Sequence, residues 1–255
     1  MRFHQIVYGP IQSRRLGRSL GVNLLPARGK WCTFDCIYCE CGWNSDGIKD
    51  KRLPSKEEVA QALELKIIEL ANQNHLPDTI TFSGNGEPTL HPDFKSIIEA
   101  TISLRKYYAP DSKICVLSNA TQLHRPDVFQ ALWMADTRIL KIDSAFPQTV
   151  SIIDQPSVGY DLAKTIEAIK RFEGDFSLQT IFLRGNHRGK SIDNTTPDEQ
   201  AAWMALVKKL HPKEVMIYTI DRPTPAVNLS KVPLFELRNI ADEVAALGIT
   251  VQIAG

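Results

Sequence analysis

No stretch of the sequence approaches the roughly 20 consecutive apolar residues that span a bilayer. The start MRFHQIVYGP has no signal-peptide core. Net charge is also missing: 30 Lys and Arg face 29 Asp and Glu, which argues against a globally basic nucleic-acid binder. There is no low-complexity tract and no short repeat. Cysteine is scarce, and an odd total of five, crowded together, points to metal or catalytic chemistry before disulfides. These absences predict a cytoplasmic protein without a membrane partner. Its 43% hydrophobic content suits one core domain over residues 1–255.

What is present is unevenly placed. Cys32, Cys36, Cys39 and Cys41 fall within ten residues, while Cys115 sits in an apolar stretch and reads as core. Before Cys32 there are six basic residues (Arg2, Arg14, Arg15, Arg18, Arg28 and Lys30) and no acidic one. A second basic stretch, RGNHRGK, runs from Arg184 to Lys190. Both create local fields that attract anions; the plain alternative is a solvated surface.

Strand-like and helix-like patterns alternate along the chain. Strands are expected at Leu20–Leu25, Thr79–Phe82, Lys113–Ser118, Arg138–Asp143, Ser177–Leu183, Val215–Ile220 and Ile249–Ile253. Between them, helices are expected from Ser55 to about Asn72, from Pro92 to Lys106, from Pro126 to Met134 and from about Leu162 to Phe172. Two more are expected from Thr196 to Leu210 and from Pro233 to Leu247. Ser55 with Glu58, and Thr196 with Glu199, have the spacing of capping boxes. Six strand–helix units imply parallel strands joined by right-handed crossovers. The expected fold class is α/β, a partial (β/α)6 barrel, with a doubly wound sheet as competitor. In either, function gathers in loops at the C-terminal ends of strands.

One such loop reads Cys32-Thr-Phe-Asp-Cys36-Ile-Tyr38-Cys39. Three thiolates at C-x3-C-x2-C spacing can reach three corners of a 4Fe–4S cube and leave one iron open for chemistry. A zinc site or an ordinary electron-transfer cluster, each using Cys41 as fourth ligand, competes with this. The spacing is cramped for a zinc knuckle. The next strand ends in Ser83-Gly84-Asn85-Gly86-Glu87-Pro88, a turn whose backbone can approach a ligand closely. A plain tight turn would look the same.

The cysteine spacing, with Tyr38 just before the last cysteine, resembles the signature of the radical S-adenosylmethionine (SAM) superfamily. In that family a 4Fe–4S cluster reductively cleaves SAM to a 5′-deoxyadenosyl radical, which abstracts hydrogen from a substrate. The resemblance implies that Cys32, Cys36 and Cys39 hold the cluster and that Tyr38 lies against the adenine. SGNGEP resembles the family's Gly-Gly-Glu element. It implies that Gly84, Asn85, Gly86 and Glu87 hold the methionine end of SAM. Later strand ends offer Ser118 and Asn119, then Lys141 and Asp143, then Gln179, for the ribose and the carboxylate. A buried Lys141–Asp143 ion pair and a cross-strand bond of Gln179 are the structural alternatives. Arg184 and Arg222 are candidates for an anionic substrate, with surface salt bridges as the alternative. Cys41 reads as a spare thiol.

The N-terminal YGP…SRRLGRSLGV and SGNGEPTL also resemble a subgroup grouped with wyosine-type tRNA-modifying enzymes. Those carry extra cysteines for a second, pyruvate-binding cluster, and Cys41 and Cys115 are too few for one. An RNA, nucleotide or anionic small-molecule substrate is expected, with flavodoxin or ferredoxin as electron donor. A glycyl-radical activase, a non-catalytic electron-transfer protein and a zinc-stabilised RNA-binding module are the alternatives.

Overall fold

The structure, a computed structural model, describes residues 2–13, 15–46 and 52–254; Arg14 of the basic block lies outside the described residues. By internal packing the chain divides into two units. The first comprises Met1–Cys32, Asn44–Ser118 and Gln122–Arg138; the second comprises Thr33–Trp43, Asn119–Thr121 and Ile139–Gly255.

The first unit is built on strands β1 (Val7–Ser13), β2 (Gly17–Val22), β3 (Thr79–Phe82) and β4 (Lys113–Ser118). The β2, β3 and β4 strands run parallel, and β1 pairs antiparallel with β2 at the end of the row. Helices α1 (Lys56–Asn72), α2 (Phe94–Tyr108) and α3 (Pro126–Met134) make the connections. Helix α1 forms where the apolar period predicts it, burying Val59, Leu63, Ile67 and Leu70. Its first turn carries the full Ser55–Glu58 capping box. Ser55→Ala is expected to lower stability by about 1 kcal/mol, read as a shift in the urea midpoint at constant slope.

The second unit holds β5 (Thr137–Lys141, from Ile139 onward), β6 (Ser177–Ile181), β9 (Glu214–Tyr218) and β11 (Thr250–Ala254) as parallel neighbours. Lys141 lies beside Gln179 in that register. Helices α4 (Pro147–Ile153), α5 (Leu162–Lys170), α6 (Pro197–Leu210) and α7 (Leu234–Ala245) accompany it. A separate antiparallel sheet, β10–β7–β8, joins β7 (Leu183–His187), β8 (Lys190–Asp193) and β10 (Leu229–Lys231).

Four expectations shift. The first parallel strand ends at Val22 rather than Leu25, because the Asn23 side chain bonds both the N–H and the C=O of Leu25 and turns the chain. The helix expected at Pro92 starts at Phe94. Pro88–Leu90 forms its own 3₁₀ turn, capped by the Glu87 carboxylate on the Thr89 N–H. The strand expected over Ser177–Leu183 breaks at Phe182, and Leu183 opens the second sheet. Glu199 does not complete a capping box with Thr196. Its carboxylate accepts from Ser144 and Thr149 instead, although Thr196 does cap the helix. Strand β1, which contains Pro10, was not among the expected strands. An edge strand with shifted register tolerates the missing donor.

Candidate functional site

The glycine turn at the end of β3 is locked by its backbone. Gly84 and Gly86 hold φ of +152° and +137°, values that side chains rarely adopt. A Cβ on Gly86 would lie 1.9 Å from the Trp31 carbonyl oxygen. That closeness has a use. Trp31 N–H donates to Asn85 O at 2.9 Å, and Glu87 N–H donates to Trp31 O at 3.1 Å. The residue before Cys32 is thus laddered onto the glycine turn. The Asn44 side chain clasps Cys32 itself, accepting from its N–H and donating to its C=O, both at 3.1 Å.

Asn85 is fully buried and its side chain is spent on the fold. Its amide donates to Phe3 O at 2.7 Å and to Pro26 O at 2.9 Å, and its oxygen accepts from Phe3 N–H at 2.8 Å. It positions the turn, whereas Glu87 is a buried carboxylate. Glu87 Oε1 accepts from Ser118 Oγ at 2.8 Å and from the N–H and hydroxyl of Thr89. Ser118, the last residue of β4, is therefore joined to the glycine turn, as the order of strand ends predicts.

In the second unit the cysteine loop is tied down mainly by main-chain bonds. Asp35 N–H donates to Asp154 O at 2.9 Å and to Gln155 O at 3.2 Å. Ile37 N–H donates to Ile153 O at 2.9 Å, and Ile37 O accepts from Ala226 N–H at 3.1 Å. Asn119 donates to Thr33 Oγ1 at 2.9 Å, which seats the start of the loop. Cys36 and Tyr38 are buried, while Cys39 and Cys41 are partly exposed.

A charged network backs this loop. Lys141 pairs with Asp143 at 2.6 Å and also with Asp154, and its ammonium lies 5.1 and 5.3 Å from the Phe34 and Tyr38 ring centres. The Tyr38 hydroxyl donates to Asp143 at 2.5 Å, and the Cys36 thiol donates to Asp154 at 3.4 Å. Burial pulls the Lys141 ammonium down, but the carboxylates of Asp143 and Asp154 outweigh it and hold the group well above the usual lysine range. Burial, with Asp143 alongside, pushes the Asp154 carboxyl up to about 7 against the pull of Lys141. Burial and then Asp143 raise the Tyr38 phenol. Asp154 was missed by sequence reasoning, because it sits at the end of the unexpected helix α4 and away from any motif.

Tyr38→Phe removes one buried hydrogen bond to a carboxylate. It is expected to cost about 1.5–3 kcal/mol, read by thermal unfolding.

Gln179 is buried in β6. Arg184 lies inside β7 and pairs with Asp193 at 3.1 Å and with Glu236 at 2.5 Å. Arg222 pairs with Glu40 at 2.7 Å on the surface. Both guanidinium groups thus engage carboxylates of the chain itself, in the way anticipated as the alternative. Within the N-terminal basic block, Arg2 pairs with Asp46 and Arg18 with Asp78. Cys115 is buried in β4, as expected of core.

A model of the Radical SAM superfamily matches residues 28–183, which covers the cysteine loop, the glycine turn and the charged network. The chain belongs to the radical SAM superfamily. It is 32% identical to "GTPase Obg" of Brachyspira hyodysenteriae over 86% of this chain but only 30% of that protein. It is also 32% identical to a UPF0026 protein of Helicobacter pylori, over 86% of this chain and 67% of that one. Among solved structures, Streptococcus suis SuiB bound to S-adenosylmethionine matches with a TM-score of 0.63 at 14% identity, over 89% of this chain and 49% of that one. Archaeal TYW1 matches with 0.52 at 12%, over 90% and 72%. These likenesses establish the fold: an α/β partial barrel of radical SAM type.

The protein is an enzyme of this class, and its cofactors are a 4Fe–4S cluster and SAM. The donor set fits such a group: all five cysteines stand as thiols, and three of them share one loop. Among the described residues no three His, Cys, Asp or Glu side chains form a group that could hold a metal ion. No described helix is long and apolar enough to cross a membrane.

Proposed function

We propose that Cys32, Cys36 and Cys39 hold the 4Fe–4S cluster, and that Gly84, Gly86 and Glu87 receive the methionine end of SAM. The substrate is anionic, a nucleotide or tRNA. The observation that carries the cofactor assignment is the backbone ladder between Trp31 and Asn85–Glu87, which makes the first cysteine and the glycine turn one rigid piece. When bound, the reduced cluster and SAM supply a 5′-deoxyadenosyl radical able to take hydrogen from a substrate.

The chain's own residues bind and orient. The Glu87 carboxylate, held by Ser118 and Thr89, accepts from the SAM ammonium. Asn85 serves through its side chain as a brace for the turn. Tyr38 offers its ring to the adenine. Lys141, Asp143, Asn119 and Gln179 supply polar groups for the ribose and the carboxylate. Burial of Tyr38 and Asp143 keeps bulk water from the radical chemistry. A protein electron donor of the flavodoxin or ferredoxin kind reduces the cluster.

The test is anaerobic reconstitution with iron and sulfide, followed by dithionite and SAM. Release of 5′-deoxyadenosine, followed by mass spectrometry, is the expected result. Incubation with bulk tRNA or with nucleotides then identifies the substrate as the addition that raises that release. A cluster whose electron paramagnetic resonance is untouched by SAM would sink the assignment.

A further inference from the structure

Behind the cysteine loop, within the second unit, lies an open recess of about 430 Å³. Its walls come from Asp35 of that loop, from Ser151, Gln155 and Pro156 around the end of α4, and from His187, Arg188 and Lys190 of the β7–β8 hairpin. Nothing in the cofactor chemistry uses these groups.

The hairpin is shaped to present cations. Arg188 and Gly189 both have positive φ, +50° and +76°, the signature of a two-residue type I′ turn. His187 and Lys190 are therefore direct cross-strand partners and share a face. Neither Arg188 nor Lys190 has a carboxylate partner among the described residues, in contrast to Arg184 and Arg222. His187 stacks on Trp43, with ring centres 5.9 Å apart, and its Nε2 is buried without a hydrogen-bond partner. The one carboxylate in the lining is Asp35, set against two cations.

We propose that this recess is a second ligand site, which takes the phosphate group of a phosphorylated small molecule on Arg188 and Lys190. Its volume lies within the usual range for small-ligand pockets and exceeds what a bare phosphate fills. Arginine suits phosphate by its fork of donors, and lysine adds a point charge. The recess touches the cofactor machinery through one segment. Asp154 turns its carboxyl inward to Lys141, while the next two residues, Gln155 and Pro156, line the recess. Asp35 reaches the same segment through its backbone N–H.

The experiment is calorimetric titration of the reconstituted, SAM-saturated enzyme with ribose 5-phosphate and with inorganic phosphate at low ionic strength. Neither probe carries a base that would compete for the adenine site. The variant is Arg188→Asn with Lys190→Gln, because Asn-Gly suits the same turn and keeps the hairpin. Saturable binding of ribose 5-phosphate, weakened at least about tenfold in the variant, is expected. Tighter binding of ribose 5-phosphate than of phosphate identifies an organic phosphate as ligand; equal binding identifies free phosphate on the same cations. No saturable binding at millimolar probe, or equal affinity in wild type and variant, overturns the proposal. Iron content and 5′-deoxyadenosine release by the wild type test the cofactor assignment separately, so failure of one is distinguishable from failure of the other.

Discussion

Cys36→Ala is expected to reduce 5′-deoxyadenosine formation by at least about 100-fold, with loss of most of the iron that wild type retains after anaerobic reconstitution. Cys32→Ala and Cys39→Ala are expected to do the same. Cys41→Ala and Cys115→Ala are expected to keep both the iron and the activity. The contrast has a physical basis. The first three cysteines share a loop held by bonds to Asp154, Gln155, Ile153, Ala226 and Asn44, so each thiol is presented by fixed backbone. Cys115 is packed within β4. The apo Cys36→Ala protein should still fold, because the change removes one small buried group at a cost on the order of 1 kcal/mol. Circular dichroism and the melting temperature of the apo forms separate loss of cluster from loss of fold. If Cys41→Ala were the variant that loses iron, four protein ligands would hold the cluster, and an electron-transfer role would replace SAM cleavage.

Lys141→Met should have the largest effect on stability. Its ammonium stands between the carboxylates of Asp143 and Asp154, both almost wholly buried. Breaking a buried pair from one side leaves charge without compensation, which typically costs about 3–5 kcal/mol. Here two carboxylates lose their shared cation, and Tyr38 keeps only Asp143 as an anion to donate to. Adding Asp154→Asn to Lys141→Met removes one of the two stranded charges and is expected to recover a large part of the loss. Denaturant unfolding of the two apo variants against wild type reads both numbers. A loss below about 1 kcal/mol for Lys141→Met would mean that water reaches the site and screens it.

Local spacing carried much of this protein. The α1 helix is legible because its capping box and its apolar period agree over one short window. The cysteine loop and the glycine turn are legible for the same reason: each is a contiguous run whose chemistry is set by residues a few positions apart. Where the chain used long-range partners, sequence reasoning failed. Asn85 looked like part of a ligand-binding turn, yet its side chain is consumed by Phe3, 82 residues away. Glu199 has the spacing of a capping residue, but Ser144, 55 residues earlier, takes its carboxylate. The β7–β8 hairpin was read only as a basic stretch, because charged residues around Arg188-Gly189 mimic a solvated loop until strand pairing is known.

The sequence by itself determined the superfamily, the cofactor pair and the order of the strand ends, because each of these follows from short motifs and from the alternation of strand and helix. Tertiary structure alone decided what the charged residues do. Arg184 is matched by Glu236, which is 52 residues further on, whereas Arg188, four residues from Arg184, has no carboxylate partner among the described residues and lines a recess. Lys141 could be assigned to a ligand or to an ion pair until Asp154, from the end of an unexpected helix, was found beside it. The physical reason is that a side chain's charge is local, but whether that charge is already neutralised depends on which distant element folds against it.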